Sequence, residues 1–332
     1  MAEAARVHVA TASRALDPNS EHGVAAATAA RIQQVAEELG YVRDTVARSL
    51  RSGRTMTVGL LVADLGNPYT PPLLKGVETR LDQAGYMCLI TESRSYHELP
   101  YAAVEQLLSR KVDGLIIEAV RPRDRDQIKR WAAQIPVVLA VQALSRSAIP
   151  GVRTDDVRGA ELVADHLADL GHRNVAQIVG PQDVRSFADR RGSFESRCAE
   201  RGLVVHTSDP VSEPTSSEAH SATATLLSER VPPFTAVFAH NDVMAIGVLS
   251  ALREAGRRCP DEVSVVGYND MPFADAFAPP LTTVRLPSFD IGTTAAELLI
   301  SQMDNPARRP RSVTMPAELI VRDSSGPAPT TT

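Results

Sequence analysis

The sequence predicts an α/β protein in which a small helical head precedes two doubly wound lobes of parallel strands and helices. Residues 1–42 are rich in alanine and contain no convincing strand. From Thr57 onward, short β-branched apolar runs alternate with amphipathic helical stretches. Such alternation is typical of parallel sheets with right-handed crossovers. The alternating part is too long for one open sheet, so we expect two lobes.

Eight near-continuous apolar runs have strand length, as expected for strands that are covered on both faces. They are 58–65, 87–93, 114–120, 136–142, 175–180, 203–208, 236–241 and 263–270. The helical stretches include 72–85, 158–171 and 243–256, and each ends in glycine, a common helix stop. In such folds ligands bind at the carboxyl ends of the strands. Polar residues that end the runs are therefore binding candidates, with turn or cap roles as the alternative: Asp64, Asn67, Glu92, Asp155, Asn241, Asn269 and Asp270.

The composition and the absence of catalytic motifs exclude several protein classes. The 332 residues carry a net charge of −5, and no apolar run is long enough for a membrane span. Cys88, Cys198 and Cys259 are too few and too scattered for a disulfide framework or a zinc site. The N-terminus lacks the apolar stretch of a secretory signal, so we expect a cytoplasmic protein. No phosphate-loop, dinucleotide, zinc-protease or nucleophile-elbow motif is present, so we expect no enzyme, cofactor or metal.

The head has the pattern of a small DNA-binding module. A short helix is expected over 9–16 and a longer one over roughly 25–39, with Ile32, Val35, Ala36 and Leu39 inward and a stop at Gly40. Positive charge is concentrated just after them, at Arg43, Arg48, Arg51 and Arg54, with only Asp44 opposing. Short helices with a basic end fit a helix-turn-helix, although an ordinary alanine-rich helical piece remains possible from this pattern alone.

Longer motifs identify a family resemblance. The segments VATASRAL (9–16) and VAEELGYVRDTVARSLRSGRTMTVGLLV (35–62) closely resemble the head and hinge of the lactose-repressor (LacI/GalR) family of bacterial regulators. The resemblance continues, in the family's order and spacing, through DLGNPY (64–69), KVDGLII (111–117), LADLGHRNVAQIVGP (167–181), FAHNDVMAIGVLSAL (238–252), VSVVGYND (263–270) and PPLTTVR (279–285). It implies a DNA-binding head, a hinge helix and a core like periplasmic binding proteins of type I, acting as a homodimer.

The resemblance also implies DNA-contact residues. Val9 and Ala10 would begin the recognition helix and would either read apolar base edges such as thymine methyl groups or simply permit close approach to the DNA. Thr11 and Ser13 would suit phosphate oxygens, and Arg14 could bind guanine or phosphate through its forked guanidinium group. In the hinge helix, Leu50 would wedge between base pairs in the minor groove, with Ala47 and Arg51 on the same helix.

Several positions depart from the family pattern. Arg6 replaces a turn glycine, His8 and Ala25 replace capping residues, and Ala29 replaces a frequent arginine. Each lost cap costs about 1 kcal/mol of helix stability, so we expect a head of marginal stability before DNA binds. Met1 aligns inside the usual first helix, which suggests a true start a few codons upstream or an alternative start codon.

The resemblance places the effector-binding residues in the core. They are Asn67, Tyr69, Asp155, Arg190, Asn241 and Asn269. Planar, forked groups of this kind suit the hydroxyls of a sugar-like ligand. Arg190 is the strongest candidate, with a surface salt bridge to Asp189 or Asp183 as its alternative. Asn269 replaces the usual aspartate, so the effector need not be a simple hexose.

The expected organisation and function follow. The segments are a head (1–42), a hinge (43–56), a first lobe (57–168 and 288–315), a second lobe (169–287 and 316–323) and a disordered tail (324–332). We expect a homodimeric repressor whose partners are a pseudo-palindromic operator in double-stranded DNA and a sugar-like effector, with no membrane partner. A transporter's solute-binding protein would need a secretion signal and no head. An enzyme acting on sugars or nucleosides could share the fold.

Overall fold

The computed structural model of the chain describes residues 1–16, 23–41, 53–93, 101–118, 120–141, 144, 148–228, 233–307 and 311–329. The chain divides into two compact units, Met1–Thr55 and Met56–Thr332. Within the described ranges, no helix is both long and apolar enough to cross a membrane.

The first unit is a small helical body with helices α1 (Val9–Ala15) and α2 (Ala26–Glu38). Its core consists of Ala5, Ala12 and Ile32, with a few partly buried apolar residues around them. Of the residues predicted to face inward, Ile32 and Ala36 are buried, but Leu39 is exposed. Gly40 ends α2 with a φ of +55°, a left-handed conformation that glycine adopts without steric cost.

The first lobe of the second unit is built on a six-stranded sheet in which all pairs are parallel. Its strands are β1 (Thr57–Val62), β2 (Met87–Glu92), β3 (Gly114–Ile117), β4 (Val137–Ala140), β5 (Gly151–Thr154) and β11 (Val313–Met315), in the order β11-β5-β4-β3-β1-β2. Its helices are α3 (Thr70–Gln83), α4 (Tyr101–Ser109), α5 (Arg125–Ala132) and α10 (Ser288–Asp304).

Two glycines set the approach of α3 to α10. A Cβ on Gly76 would lie 2.1 Å from the carbonyl oxygen of Phe289, and one on Gly292 would lie 2.2 Å from that of Leu73. Both distances are far below van der Waals contact, so only glycine allows these helix backbones to pack so closely.

The second lobe repeats the architecture around another six-stranded sheet. Its strands are β6 (Asn174–Ile178), β7 (Val204–Thr207), β8 (Ala236–Ala239), β9 (Ser264–Asn269), β10 (Thr282–Arg285) and β12 (Glu318–Ile320), in the order β12-β10-β9-β8-β6-β7. Its helices are α6 (Asp156–Asp169), α7 (Arg185–Glu200), α8 (Ser216–Ser228) and α9 (Asp242–Glu254). Only β12 runs antiparallel to its neighbour among the described strands. The predicted α/β fold is confirmed.

Two details of the strand prediction differ from the structure. β2 and β7 are edge strands that expose Met87 and Val204, so they are not covered on both faces. The prediction also missed four short strands, β5, β10, β11 and β12. In β10 the buried Thr282 and Thr283 are tolerated because their hydroxyls donate hydrogen bonds, to the Arg322 carbonyl at 2.9 Å and to Asp242 Oδ1 at 2.6 Å.

Within the described ranges the chain crosses between the lobes three times, and the first crossing lies earlier than predicted. The predicted boundaries after 287 and 315 fall in the links from β10 to α10 and from β11 to β12. The boundary predicted after 168 is wrong, because α6 packs against α7 in the second lobe. Gly159 on α6 lies against Tyr268, where a Cβ would meet the phenol oxygen at 2.3 Å. The crossing therefore lies at Asp155, between β5 and α6.

The tail predicted to be disordered from 324 onward is ordered through the described residues, which extend to 329. Ser324 is fully buried, and its hydroxyl donates to the Val265 carbonyl at 2.6 Å and accepts from the Thr282 amide at 2.8 Å. Ser325 Oγ forms a hydrogen bond with the ring of His166 at 2.9 Å, which gives that histidine a structural role. Small polar residues here serve as hydrogen-bonding partners for the second sheet.

Candidate functional site

The residues predicted to contact DNA lie on α1 of the head. Val9 is 68% exposed, and Ala10 and Arg14 are also exposed. Thr11 and Ser13 are partly exposed. Arg14 Nε donates to the Ala10 carbonyl at 3.2 Å, which holds the side chain along the helix surface. The helix thus presents a small, shallow apolar surface beside one guanidinium group.

The start of α1 corrects one expectation about the head. His8 is not a lost cap: its backbone is extended, and its Nδ1 accepts from the Ala10 amide at 3.2 Å. Arg6 takes a left-handed φ of +47° at the position where the family pattern has glycine. Ala25, in contrast, caps α2 with no side-chain hydrogen bond, as expected for an alanine. One predicted cap defect is therefore absent, and the other is present.

The predicted hinge residues Ala47, Leu50 and Arg51 lie outside the described residues. Their assignment rests on the sequence resemblance alone.

The second unit contains a cavity lined by residues of both lobes. Its volume is about 550 Å³, a value that includes the part open to solvent. Five of the six predicted effector residues line it: Asn67, Tyr69, Arg190, Asn241 and Asn269. They lie at carboxyl ends of strands or at the helix starts beyond them, and Arg190 lies in the first turns of α7.

The asparagines of this cavity are partly committed to local structure. Asn67 Oδ1 accepts from the Tyr69 amide at 3.2 Å, and Asn241 Oδ1 caps α9 by accepting from the Met244 amide at 2.7 Å. Asn269 ends β9 with a left-handed φ of 122°, and its side chain makes no hydrogen bond to a described residue. The cap role considered for Asn241 and a role in lining the cavity are thus compatible.

Arg190 is buried, at 3% exposure, and held by three contacts. Its Nε donates to Asp156 Oδ1 at 2.8 Å, and its Nη1 donates to the His240 carbonyl at 2.5 Å. The guanidinium carbon lies 3.6 Å from the ring centroid of Tyr268. Burial alone lowers the pKa of Arg190, but the Asp156 carboxylate and Tyr268 outweigh this effect and raise it. This ion pair differs from both surface salt bridges considered from the sequence.

Asp155 is the predicted effector residue that the structure places elsewhere. It does not line the cavity, and its Oδ1 caps α6 by accepting from the Arg158 amide at 3.1 Å. The buried carboxylate that anchors Arg190 belongs to the next residue, Asp156. At the start of α6, Asp155 therefore caps the helix, whereas Asp156, the next residue, is a buried carboxylate.

Sequence reasoning missed Glu118, which lines the cavity at the end of β3. Its Oε2 accepts from the Ala63 amide at 2.6 Å. Burial raises the pKa of Glu118 to about 7, against the lowering effect of the Ala63 amide, and Asp64 adds to the rise. The available signal was its position as the one charged residue within the predicted apolar run 114–120, of which Gly114–Ile117 form the strand.

Tyr69 brings an unpartnered hydroxyl to the same cavity. Its side chain is buried, and its Oη has no hydrogen-bond partner among the described residues. Burial, and after it the Glu118 carboxylate, raises the pKa of Tyr69 well above its ordinary value, so the phenol stays protonated. A buried hydroxyl without a partner costs about 1–3 kcal/mol, which a ligand's polar group could recover.

Comparisons with known proteins assign both parts of the chain. The family model described as bacterial regulatory proteins, lacI family, matches residues 1–44, and that of a periplasmic binding protein-like domain matches residues 164–325. The HTH-type transcriptional regulator DegA of Bacillus subtilis is 31% identical over 98% of this chain and 97% of its own length.

Solved structures agree with this assignment. The lac repressor dimer bound to operator and the anti-inducer ONPF has a TM-score of 0.86 and 25% identity, covering 98% of this chain and 97% of its own. A LacI family regulator from Enterococcus faecium with bound ribose has a TM-score of 0.70 and 29% identity, covering 82% and 99%. Relatives of this family thus match nearly the whole chain, head and core together, and the protein belongs to the LacI family of bacterial transcriptional regulators.

Proposed function

We propose that this regulator is a homodimeric repressor whose affinity for a pseudo-palindromic operator is set by a small polar metabolite bound between the lobes. The single observation that carries the proposal is the cavity, because both lobes line it. Asn67, Tyr69 and Glu118 come from the first lobe, and Arg190 and Asn269 come from the second. A ligand that contacts both lobes stabilises one relative arrangement of them over another.

The cavity chemistry supports a hydroxyl-rich ligand. Asparagine side chains offer both donors and acceptors, as sugar hydroxyls require. Arg190 lines the cavity, and its Nε and Nη1 groups are held by Asp156 and the His240 carbonyl. The ribose bound by the related Enterococcus faecium regulator is a ligand of this class.

The head would provide operator contact. Val9 and Ala10 would approach base edges, Thr11, Ser13 and Arg14 would bind phosphates or a guanine, and the hinge residues Ala47, Leu50 and Arg51 would enter the minor groove. A two-fold dimer places two such heads on two half-sites, which implies a symmetric operator. The related lac repressor binds its operator as a dimer.

The test measures operator binding directly. Duplexes from the region upstream of the protein's own gene are titrated with the full chain by fluorescence anisotropy at two salt concentrations. A symmetric site should bind more tightly than a scrambled duplex of equal length, with an affinity that falls as salt rises. If no such duplex is preferred, with or without sugars, nucleosides and polyols, the proposal is wrong.

A single variant tests the assignment of Leu50 to the hinge helix. Leu50→Ala should weaken operator binding by about ten-fold or more, because an apolar wedge that stabilises the kinked duplex is lost. Thermal stabilisation by an effector should persist, since the change lies outside the cavity. An unchanged operator affinity would remove Leu50 from the mechanism.

A further inference from the structure

We propose that the effector of this regulator carries a protonated amine, so that a hydroxyl-rich amine, such as an amino sugar, is preferred over its neutral counterpart. The inference rests on the proposed function, since it specifies the ligand of the same cavity. It comes from the charges that the cavity brings together and from the polar atoms that it leaves without partners.

The described lining residues include more acidic than basic groups. They are the carboxyl groups of Asp64 and Glu118 and the guanidinium group of Arg190. The charge of Arg190 is already compensated by its buried ion pair with Asp156. Neither Asp64 nor Glu118 forms an ion pair with any described residue. A cation that binds beside these two carboxyl groups would favour their ionised forms, whereas a neutral sugar would not.

The two carboxyl groups also have free acceptor capacity. Asp64 Oδ1 accepts from the Gly66 amide at 2.7 Å, and Glu118 Oε2 accepts from the Ala63 amide at 2.6 Å. These are their hydrogen bonds to the described residues, so the second oxygen of each carboxyl group remains for a ligand. Asp64 also raises the pKa of Glu118, after the larger effect of burial, which shows that the two groups lie within electrostatic reach.

The hydroxyl of Tyr69 is an independent third oxygen on the first-lobe wall of the cavity, which Asp64, Glu118 and Tyr69 form. The side chain is only 5% exposed, it lines the cavity, and its Oη has no partner among the described residues. After burial, the carboxylate of Glu118 raises the pKa of Tyr69 and the guanidinium of Arg190 lowers it, so both groups interact with this hydroxyl. A primary ammonium group has three donors and no acceptor, which matches oxygens from Asp64, Glu118 and Tyr69.

The second lobe contributes mainly hydrogen-bond donors to the cavity. Asn241 Nδ2 and Arg190 Nη2 are donors, and Asn269 offers both a donor and an acceptor. Such groups bind hydroxyls and do not favour a cation. The cavity therefore distinguishes the two ends of a ligand, with the amine toward the first lobe and the hydroxyls toward the second.

The pKa of Glu118 supports this orientation of the ligand, because a nearby cation would lower it. Burial raises its pKa to about 7, so part of the population is protonated at neutral pH. A cation beside it would lower that pKa and release the proton. Binding of a positively charged ligand would therefore increase the fraction of Glu118 that is negatively charged.

The experiment compares matched ligands on the full chain at pH 7. The probes are glucose, galactose and mannose, the 2-amino-2-deoxy form of each, and the N-acetyl form of each amine, which removes the charge. Thermal shift and isothermal titration calorimetry measure binding. In at least one series the amine should bind about ten-fold more tightly than both uncharged members.

Two variants test the assignment of the wall. The double variant Asp64→Asn/Glu118→Gln should lose the preference for the amine while keeping its fold, as judged by circular dichroism. Glu78→Gln provides the control, because this carboxylate is exposed on α3 and pairs with Lys75. It should retain the full preference.

Four results would overturn the inference. One is equal or tighter binding of the neutral members in every series, and another is an amine preference that survives the double variant. The third is the absence of any response to the amines. Stabilisation by magnesium chloride alone that the double variant abolishes would assign the wall to an inorganic cation and also count against it. None of these results affects the operator titration, which tests the proposed function by itself.

Discussion

Arg190 and Tyr69 are two buried polar residues of one cavity that differ in whether the protein supplies partners for their polar groups. Arg190 has a carboxylate, a carbonyl and an aromatic face as partners, so its burial is compensated within the protein. The hydroxyl of Tyr69 has none among the described residues. A group of the first kind positions the site, and a group of the second kind is available to a ligand.

Tyr69→Phe should therefore separate stability from binding. Removing an unpartnered hydroxyl should leave the free energy of unfolding unchanged or raise it by up to about 1 kcal/mol, since a desolvation cost disappears. Effector affinity should fall by about ten-fold, because one hydrogen bond to the ligand is lost. Urea unfolding without ligand and calorimetric titration with it provide the two measurements. A variant that unfolds more easily without ligand would show that the hydroxyl has a structural partner.

Glu118 should make stability depend on pH in a direction opposite to that of a salt-bridged acid. Its pKa is raised to about 7 from an ordinary value of 4.5, so between these values the folded state binds more protons than the unfolded state. Its contribution to stability is therefore present at low pH and is lost as the pH rises toward 7. Asp64, Tyr69 and the Ala63 amide are the neighbours that interact with it.

Glu118→Gln isolates this contribution, because glutamine resembles the protonated acid. The variant should match the parent protein near pH 5 and be more stable near pH 8, by on the order of 1–3 kcal/mol. Urea unfolding at both pH values measures the difference. Equal effects of the substitution at pH 5 and pH 8 would show that Glu118 does not titrate in this range.

At the scale of elements, the two head helices offer a matched pair of cap variants. His8 caps α1 through its side chain, whereas Ala25 begins α2 without such a bond. His8→Ala should destabilise the head by about 1 kcal/mol, and Ala25→Ser should stabilise it by a similar amount. Amide hydrogen exchange in α1 and α2 of the full chain reports both changes. The same sign for both variants would contradict the assigned caps.

Long, apolar elements could be predicted from the sequence, and short, polar ones could not. The run at Gly114–Ile117 is buried throughout and matches the expected pattern for a strand. The strand Thr282–Arg285 begins with two threonines that are buried only because Asp242 and Arg322 provide partners from distant parts of the chain. Partners of this kind are set by tertiary structure, which periodicity does not contain.

The site could be predicted to a similar extent. Polar residues at strand ends were expected to converge, and Asn67, Asn241 and Asn269 do line one cavity. Asp155 and Asp156 could not be distinguished, because both stand at the start of α6 and only packing decides which faces inward. Glu118 was missed because its burial, not its identity, gives it a pKa near neutrality.

At the scale of the whole core, three chain crossings join the lobes and leave the cavity between them. Two crossings adjoin β10 and β12, where Asp270 accepts from Arg285 at 2.9 Å and from Arg322 at 2.7 Å. Arg285 also reaches Glu318 at 2.9 Å. This network holds β10 and β12 together within the second lobe. A change in the relative arrangement of the lobes would therefore involve backbone rotation in the short links beside these strands.

Coupling between effector and operator must then act in both directions. If the effector changes operator affinity by a factor of about five to one hundred, the operator must change effector affinity by the same factor. Calorimetric titration of the effector with the protein alone, with an operator duplex and with a scrambled duplex measures this factor. The scrambled duplex controls for non-specific charge effects at the same salt concentration. The operator duplex alone should shift the effector dissociation constant, in the direction that the operator titration sets: weaker for an inducer, tighter for a co-repressor. An effector affinity that is identical in all three titrations would mean that ligand binding in the core does not reach the head, and that the metabolite bound there does not regulate transcription through operator affinity.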